Sequence, residues 1–298
     1  QVIIVGDSDQ LPSVGPGQVL ADLLKIKTLP QIALTKIFRQ SEYSTIVTLA
    51  NQMRQGILPA DFTQKKADRS YFEAGAQYIP EMIPKIVSAA IKSGISPQEI
   101  QILAPMYRGA AGINRLNTIG DQLSFAFGDM NFRKGDKVLH LINDAELNVF
   151  NGDIGYITDL IPAKYTESKQ DELYMSFDGT EVIYPRNEWH KITLSYAMSI
   201  HKSQGSEFQV VILPITRQSR RLLQRNLIYT AITRSKSKLV MLGEIAAFDY
   251  AIKNEGSKRK TYLVQRFTTN PEDLDNSETI ENPDEAKESQ NEPDKATS

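Results

Sequence analysis

The chain of 298 residues is long enough for about two domains, and its content of 41% hydrophobic and 23% charged residues is typical of a globular protein. It has no Cys and only three His (His140, His190 and His201), which excludes disulfide frameworks, thiolate metal sites and cysteine nucleophiles and argues against a metal hydrolase. No apolar run approaches the roughly 18 residues of a membrane helix. The net charge of −2 hides an acidic end: residues 268–298 carry ten Asp and Glu against two Lys, so residues 1–267 have a charge of +6 (32 basic against 26 acidic residues). This basic body permits a polyanionic partner without requiring one.

The first 130 residues alternate short apolar runs with helical periodicity, which is typical of an α/β fold with a parallel sheet. The pattern predicts strands over 2–5 and 100–104 and helices over about 17–26, 42–55, 81–92 and 110–125. Ser41 is the predicted cap of the second helix, which ends before Gly56. Because the apolar run starts directly after Gln1, without initiator Met or leader, we expect an N-terminally truncated fragment.

From about residue 132 to 190 the pattern changes to short strands, predicted over 137–142, 154–160, 173–177 and 181–184. Asp178-Gly179 between the last two is a strong hairpin-turn signal. This stretch is a predicted small β-barrel inserted into the α/β domain. The α/β pattern then returns with strands over 208–215 and 238–243, a helix over 220–233 and a closing helix to about Lys253. Residues beyond Arg266 are polar and predicted to be disordered.

The loop GDSDQLPSVGPG at residues 6–17 follows the first predicted strand and carries two carboxylates, an amide and three glycines. Ligands of open α/β sheets bind beyond the carboxyl ends of strands, so this loop is placed for chemistry. The alternative is a loop in which Gly and Pro only provide turn geometry. Further along, Arg39 follows an apolar pair and could bind a phosphate through two hydrogen bonds, or form a surface salt bridge.

Two later segments have similar potential. The loop SIHKSQGSEF at 199–208 offers hydroxyls, backbone amides and a Lys that suit a phosphodiester backbone. Its His201 has no accompanying Asp and Ser, which favours a structural role over that of a catalytic base. In RNLIYTAITRS at 225–235, Arg234 follows a helix with one apolar face. Such an Arg could be an arginine finger that stabilises charge on a transferring phosphoryl group, or could merely complement the helix dipole.

Together, and in this order, the segments resemble the third to sixth motifs of superfamily 1 helicases, most closely the RecD-like DNA helicases. The strings that carry the resemblance are GDSDQLPSVGPGQVLADLL, IFRQ, YAMSIHKSQGSEF and NLIYTAITRSK, and the match spans about residues 1–250. Residues 132–138 and 148–155 are similar to the start of the family's inserted barrel, and APMYRG at 104–109 is similar to an element beside the DNA channel.

The resemblance implies a RecA-like P-loop NTPase fold: the parallel sheet of a second motor domain with an inserted small β-barrel, plus the tail end of the first motor domain. The implied domains are a first-domain remnant over 1–30, the second motor domain over 31–131 and 191–255, the barrel over 132–190 and an acidic, disordered tail over 256–298.

The resemblance also implies roles for individual residues. Gln10 would sense the γ-phosphate, and Arg39 and Arg234 would stabilise the transferring phosphoryl group, so these three are the candidate catalytic residues. The other nucleotide-binding candidates are Asp7, near Mg²⁺ and its waters, and Gly205 and Glu207. The candidates for DNA contact are Arg108, His201, Lys202 and Ser203, with Gln204 coupling the two sites.

ATP and Mg²⁺ are the implied cofactors, and single-stranded DNA and its junctions with duplex are the implied partners, with no membrane association. The sequence contains no G-x-x-x-x-G-K-[ST] motif and no Asp-Glu pair before the third motif, so the phosphate cradle and principal metal ligands are missing and no metal site is predicted. We therefore expect the C-terminal part of a cytoplasmic ATP-dependent helicase that is inactive alone, and that in its complete form moves 5′ to 3′ on DNA in repair or recombination.

Two alternatives to this function remain at this point. One is the helicase portion of a conjugative relaxase, which shares the four motifs. The other is a nucleic-acid-binding module without catalysis. For the acidic tail, the simple interpretation is a solvated end, and the alternative is a docking segment for a protein partner such as a single-strand binding protein.

Overall fold

This computed structural model describes residues 2–12, 15, 17–33, 44–117, 125–127, 130–256, 259 and 261–268. The chain divides into two compact units, one of Gln1–Ser8, Pro12–Ala33 and Arg259–Ser298, the other of Asp9–Leu11 and Leu34–Lys258. Several predicted features lie outside the described residues: Arg39, the Ser41 cap and the acidic tail over 269–298.

Seven α-helices and twelve strands are present among the described residues. The helices are α1 (Val19–Leu23), α2 (Thr45–Arg54), α3 (Ile79–Lys92), α4 (Ile113–Leu116), α5 (Arg225–Thr233), α6 (Ile245–Lys253) and α7 (Leu263–Thr268). The strands are β1 (Arg69–Glu73), β2 (Ile100–Ala104), β3 (Phe125–Phe127), β4 (Met130–Phe132), β5 (Lys137–His140), β6 (Ile154–Ile161), β7 (Glu172–Phe177), β8 (Thr180–Pro185), β9 (Ile192–Leu194), β10 (Ala197–Ser199), β11 (Phe208–Ile215) and β12 (Ser235–Gly243). Short 3₁₀-helices cover Ala76–Tyr78, Pro97–Glu99, Ala163–Tyr165, Arg186–Lys191 and Arg217–Leu222.

The centre of the larger unit is a five-stranded parallel sheet in the order β1-β12-β11-β2-β10. Successive residues of β11 point to opposite faces, because Val211 and Leu213 pack in one apolar cluster while Val210 and Ile212 pack in another. The first cluster takes in α2, α5 and α6, and the second takes in α3 and α4. Helices therefore cover both faces of the sheet, which confirms the predicted α/β class with a parallel sheet.

The inserted β-domain is a five-stranded antiparallel sheet in the order β8-β7-β6-β5-β9. Its core surrounds Trp189, whose indole nitrogen donates to the Tyr184 carbonyl at 2.9 Å. Asp178 and Gly179 join β7 to β8 with φ values of 46° and 86°, as a type I′ hairpin turn requires. The chain returns from β9 directly into β10, so the domain is inserted between elements of the parallel sheet.

In the smaller unit, a buried carboxylate in α1 connects this helix to the segment that precedes α7. Asp22 is buried and accepts hydrogen bonds from Lys25 Nζ at 2.7 Å, Gln18 Nε2 at 3.0 Å and the Thr261 hydroxyl. Burial opposes ionisation of Asp22, but these hydrogen bonds outweigh it and hold the pKa of the carboxyl below its ordinary value. No helix among the described residues has the length and apolar content that crossing a bilayer requires.

Three predicted elements are wrong. Residues 2–5 form no strand and their side chains are exposed, since a strand needs a neighbour to accept its hydrogen bonds and no described strand provides one. Within the described part of the predicted helix over 110–125, Ile113–Leu116 is the helical segment, and Phe125 already belongs to β3. Asn117 ends this helix because its amide binds the Leu194 and Ala197 carbonyls at 3.0 Å each.

The predicted helix over 220–233 is divided into two pieces. The 3₁₀-helix Arg217–Leu222 comes first, and α5 starts only at Arg225. Leu223 and Gln224 between them are extended, with ψ values of 111° and 156°. Leu223 is fully buried, so its packing in the core fixes this break.

Candidate nucleotide and nucleic-acid sites

The loop over residues 200–207, here called the crossing loop, connects opposite edges of the parallel sheet. It starts after β10, where Ser199 pairs with Ala104 at the carboxyl end of β2. It ends at β11, where Val210 pairs with Ile100 at the amino end of β2. Because β2, β10 and β11 are parallel, the crossing loop begins at the carboxyl edge of the sheet and ends at the amino edge.

At the amino edge, the segment Asp9–Leu11 is held by hydrogen bonds on both sides of Leu11. The Leu11 amide donates to Thr230 Oγ1 on α5 at 2.8 Å. Gln204 Nε2 of the crossing loop donates to the Leu11 carbonyl at 2.7 Å. The Leu11 side chain is buried in the apolar cluster that includes α5. The position of Gln10 is thereby fixed against both α5 and the crossing loop.

Arg234 joins the same three elements. It caps the C-terminal end of α5 and is only 4% exposed. Its Nη2 donates to Gln10 Oε1 at 3.0 Å, its Nε to the Thr230 carbonyl at 3.2 Å and its Nη1 to the Ser206 carbonyl of the crossing loop at 3.2 Å. These three acceptors are neutral oxygens, and together they hold the guanidinium in a fixed position.

The structure thus brings Gln10, Arg234 and Gln204 together, as a group at the amino ends of β11 and β12. The reason is the chain path: α5 runs back to the amino edge before β12 begins at Ser235, and Arg234 is the last residue of that return.

At the carboxyl edge, two neighbouring strands present predicted DNA contacts. Arg108 follows β2 and is exposed, and His201 and the partly exposed Lys202 follow β10. Adjacent strands are about 4.8 Å apart, so the two loops emerge side by side. Desolvation of the His201 ring lowers its pKa, and Arg108 and Lys202 provide the positive charges at this edge.

The loop that presents Arg108 is tightly wound. The amides of Ile113 and Asn114 donate to the carbonyls of Met106 and Tyr107, each at 3.1 Å. A Cβ atom at Gly112 would lie 2.5 Å from the Arg108 carbonyl oxygen, so only glycine fits there. Tyr107 and Arg108 project into solvent from this rigid turn.

The Ser203 prediction needs correction. Ser203 is fully buried, and its hydroxyl donates to the Ile200 carbonyl at 2.8 Å. A helical turn of the crossing loop therefore uses the hydroxyl internally, which contradicts the predicted DNA contact of this side chain.

The remaining predicted residues are Asp7, Gly205 and Glu207, of which the last two flank Ser206 in the crossing loop. Asp7 is exposed and belongs to the smaller unit. Gly205 is exposed with a φ of 85°, and partly exposed Glu207 lies 3.6 Å from Lys236 Nζ. Across the described ranges, no three His, Asp or Glu side chains are grouped so as to hold a metal ion.

Two important polar residues were missed by the sequence patterns. Thr230 lies four residues before Arg234 on the buried face of α5, and a polar residue on an apolar helix face is the signal that could have found it. Lys137, at the start of β5, is buried and reaches the parallel sheet, where its Nζ donates to Gln101 Oε1 at 2.7 Å and the Gln98 carbonyl at 3.1 Å. Burial lowers the pKa of Lys137 to about 8.

Three family descriptions match parts of the chain. A UvrD-like helicase C-terminal domain matches residues 194–242, which include the crossing loop, α5 and Arg234. An ATP-dependent RecD-like DNA helicase SH3 domain matches residues 114–177, in the inserted β-domain, and an AAA domain matches residues 1–77.

Individual relatives agree with these matches. The chain is 29% identical over 273 residues to the ATP-dependent RecD2 DNA helicase of Deinococcus radiodurans, covering 90% of this chain and 36% of that protein. It is 27% identical over 285 residues to the RecBCD enzyme subunit RecD of Mycolicibacterium smegmatis, covering 90% of this chain and 49% of that protein. A crystal structure of Bacteroides Pif1 bound to ssDNA is similar with a TM-score of 0.45 and 17% identity, covering 79% of this chain and 55% of that one. The chain spans between about a third and a half of the length of these curated relatives.

Proposed function

We propose that this chain, which belongs to the RecD-like DNA helicases of superfamily 1, provides the second motor domain of an ATP-dependent DNA helicase. The observation that carries the proposal is the joint anchoring of Gln10 and Leu11 by Arg234, Thr230 and Gln204. This anchoring connects the candidate nucleotide-binding residues at the amino edge of the sheet with the crossing loop, a candidate DNA-binding loop that starts at the carboxyl edge. Translocation from 5′ to 3′, a role in repair or recombination and a cytoplasmic location are the parts of the proposal that rest on the resemblance alone.

At the nucleotide, the residues present suit the γ-phosphate end of ATP. Arg234 is a rigid cation and Gln10 an amide that it positions, and a fixed cation stabilises developing phosphoryl charge without reorganisation. ATP bound with Mg²⁺ supplies the chemical energy of each step. The sequence holds no phosphate-loop motif, and the described residues form no carboxylate cluster for the metal. The 298-residue polypeptide is therefore expected to hydrolyse no ATP by itself. Arg39, Asp7, Gly205 and Glu207 stay predicted contributors.

At the DNA, Arg108 and Lys202 on adjacent loops are proposed to contact phosphates, which position a strand without reading its sequence. His201 contributes a ring with hydrogen-bonding nitrogens. Tyr107 next to Arg108 is 49% exposed and offers a face on which a base can stack. The substrate class that this edge fits is single-stranded DNA.

Coupling between the two edges is proposed to pass through the crossing loop. DNA that displaces Lys202 also moves Gln204, which lies two residues further along the crossing loop. The side-chain amide of Gln204 donates to the Leu11 carbonyl at 2.7 Å. Gln10, next to Leu11, then shifts relative to Arg234. The same contacts work in the opposite direction when the nucleotide changes state.

The test is ATP hydrolysis, with and without single-stranded DNA, by a protein in which this chain is joined to the phosphate-loop half of a RecD-like helicase. Arg234→Ala is expected to lower DNA-stimulated turnover by at least about a thousandfold, roughly 4 kcal/mol of barrier. Arg186→Ala, which removes an exposed cation of the inserted β-domain, is the matched control and should retain full activity.

Because Arg234 is buried, its variants need a folding control. Arg234→Lys keeps the charge but loses the planar set of donors, and urea denaturation together with DNA binding shows whether the fold and the DNA edge survive. If the rate of ATP hydrolysis is changed neither by DNA nor by these substitutions, the proposed motor domain is refuted and a nucleic-acid-binding module without catalysis is favoured. Robust hydrolysis by the 298-residue chain alone would contradict the proposed division of the active site.

A further inference from the structure

A cleft of about 200 Å³ lies between the 3₁₀-helix Arg217–Leu222 and α6, and no helicase motif includes it. Its lining residues are Arg217, Arg220, Leu223, Ala246, Ala247 and Tyr250. It lies near the carboxyl ends of β11 and β12, where the Glu244 amide donates to the Ile215 carbonyl at 3.0 Å. The cleft therefore lies on the same edge of the sheet as Arg108 and Lys202.

Arg220 is held in this cleft by an aromatic ring. Its guanidinium carbon is 4.6 Å from the centre of the Tyr250 ring, a cation–π contact that fixes the plane of the group. Its side-chain N–H groups donate to no acceptor within the described part of the chain. A guanidinium that is already oriented, with its donors unused, is suited to bind a phosphate through two parallel hydrogen bonds.

The charges around the cleft favour an anion. Arg217 is 70% exposed, and its Nε is 3.9 Å from Glu244 Oε1, a distance at which an exposed ion pair contributes little. The other carboxylate oxygen of Glu244 is engaged by the Arg217 amide at 2.6 Å. The 3₁₀-helix itself carries three arginines, Arg217, Arg220 and Arg221, and no acidic residue.

The order of the strands places the cleft in line with the proposed DNA contacts. β11 lies next to β2, and β2 lies next to β10, so two strand spacings of about 4.8 Å separate the first loop from the third. The 3₁₀-helix and the Arg108 loop are direct neighbours, because a Cβ atom at Gly109 would lie 3.2 Å from Gln218 Oε1. Arg220, Arg108 and Lys202 thus belong to three successive loops along one edge.

We propose that this cleft binds one phosphate of the nucleic-acid strand, with Arg220 and Arg217 as its ligands, and so extends the DNA path across β11. The inference rests on the proposed function, since it assumes that a strand runs along this edge. A row of cations fits a chain of phosphates better than a single free anion does.

The experiment measures binding of a fluorescein-labelled oligothymidylate to the 298-residue chain over a range of KCl concentrations. Arg220→Gln is expected to reduce the slope of log K against log[salt] by about 0.7, the contribution of one phosphate contact on a single strand. Arg221→Gln is the matched control, because it removes the same charge from the same 3₁₀-helix but does not line the cleft; its slope should equal that of the wild type. Tyr250→Phe keeps the ring and the affinity, whereas Tyr250→Leu weakens binding without any change of charge.

Equal slopes for Arg220→Gln and Arg221→Gln would overturn the inference, because they would show a diffuse electrostatic effect and no defined site. If the salt slopes of wild type and Arg220→Gln become equal when phosphate replaces chloride at equal ionic strength, free phosphate is the ligand. That result would also overturn the inference. Competition by poly-glutamate as strong as that by unlabelled oligothymidylate would assign the cleft to an acidic peptide instead. If the wild type binds no oligonucleotide, the proposed DNA edge itself is refuted. If the wild type binds normally and Arg220→Gln has the same salt slope, only the inference about the cleft is refuted.

Discussion

Thr230→Val tests the contact that anchors Leu11 to α5. Valine has nearly the same shape as threonine, so the substitution removes the hydroxyl oxygen that accepts the Leu11 amide at 2.8 Å and leaves the packing of α5 nearly unchanged. Thr230 is fully buried and Leu11 is 8% exposed, so water has little access to replace the lost acceptor. The Leu11 amide is then left unpaired.

An unpaired buried amide costs about 1–3 kcal/mol. If local opening of the segment controls exchange, this cost corresponds to roughly 5- to 160-fold faster hydrogen exchange of the Leu11 amide, at about 1.36 kcal/mol for each factor of ten. Global stability falls by no more than the same amount, because the rest of α5 keeps its contacts. The measurement is hydrogen exchange of the Leu11 amide together with urea denaturation.

Thr216→Val is the control for this experiment, since Thr216 is buried directly after β11 and does not bind Leu11. It should leave the exchange rate of Leu11 unchanged. If Thr230→Val also leaves that rate unchanged, the Leu11 amide is not held by α5, and the proposed link between the two edges of the sheet loses its first contact.

Two further predictions concern buried contacts. The pKa of Lys137 is about 8 in the folded chain and 10.5 in the unfolded one, so the unfolded chain binds more protons between these values and the free energy of unfolding rises with pH across that window. Lys137→Met removes this contribution, and urea denaturation at several pH values should show the two proteins diverging; parallel profiles would contradict the buried charge. Gly112→Ala places a Cβ atom 2.5 Å from the Arg108 carbonyl oxygen, so the loop must shift, with a loss of about 1 kcal/mol or more in stability and weaker oligonucleotide binding. Gly75→Ala is its control, because the nearest atoms there belong to the movable Gln77 side chain, and equal effects of both variants would refute the steric argument.

The central strands could be predicted because their apolar composition reflects their burial on both faces of the sheet. Residues 100–104 and 208–215 are nearly continuous apolar runs, which is typical of parallel strands buried on both faces, and the structure has both with the predicted bounds. The run over 2–5 is as apolar, yet it forms no strand. Apolar pattern predicts how a strand would pack once paired, but pairing depends on neighbours that the local sequence does not specify.

The candidate site shows the same limit. Gln10 and Arg234 are each identified by motif, but 224 residues separate them, and only the fold shows that they are hydrogen-bonded. Ser203 has the polarity of a DNA contact, but a turn of the crossing loop buries its hydroxyl. The arginines at 217–221 have the pattern of a solvated face, and Arg220 becomes a fixed guanidinium only through Tyr250, thirty residues later in the chain.

The short connection between the inserted β-domain and the parallel sheet determines where a mechanical load would act. β9 ends at Leu194 and β10 begins at Ala197, so a pull on the inserted domain reaches β10 through two residues. β10 is an edge strand that pairs with β2 at only three positions, 197–199, whereas β12 pairs with β11 at seven. It is therefore the strand of this sheet with the fewest paired positions, and Gln204 lies five residues beyond its end. A pull on the inserted β-domain would therefore act on this sparsely paired strand and, through the crossing loop, on the contact between Gln204 and Leu11.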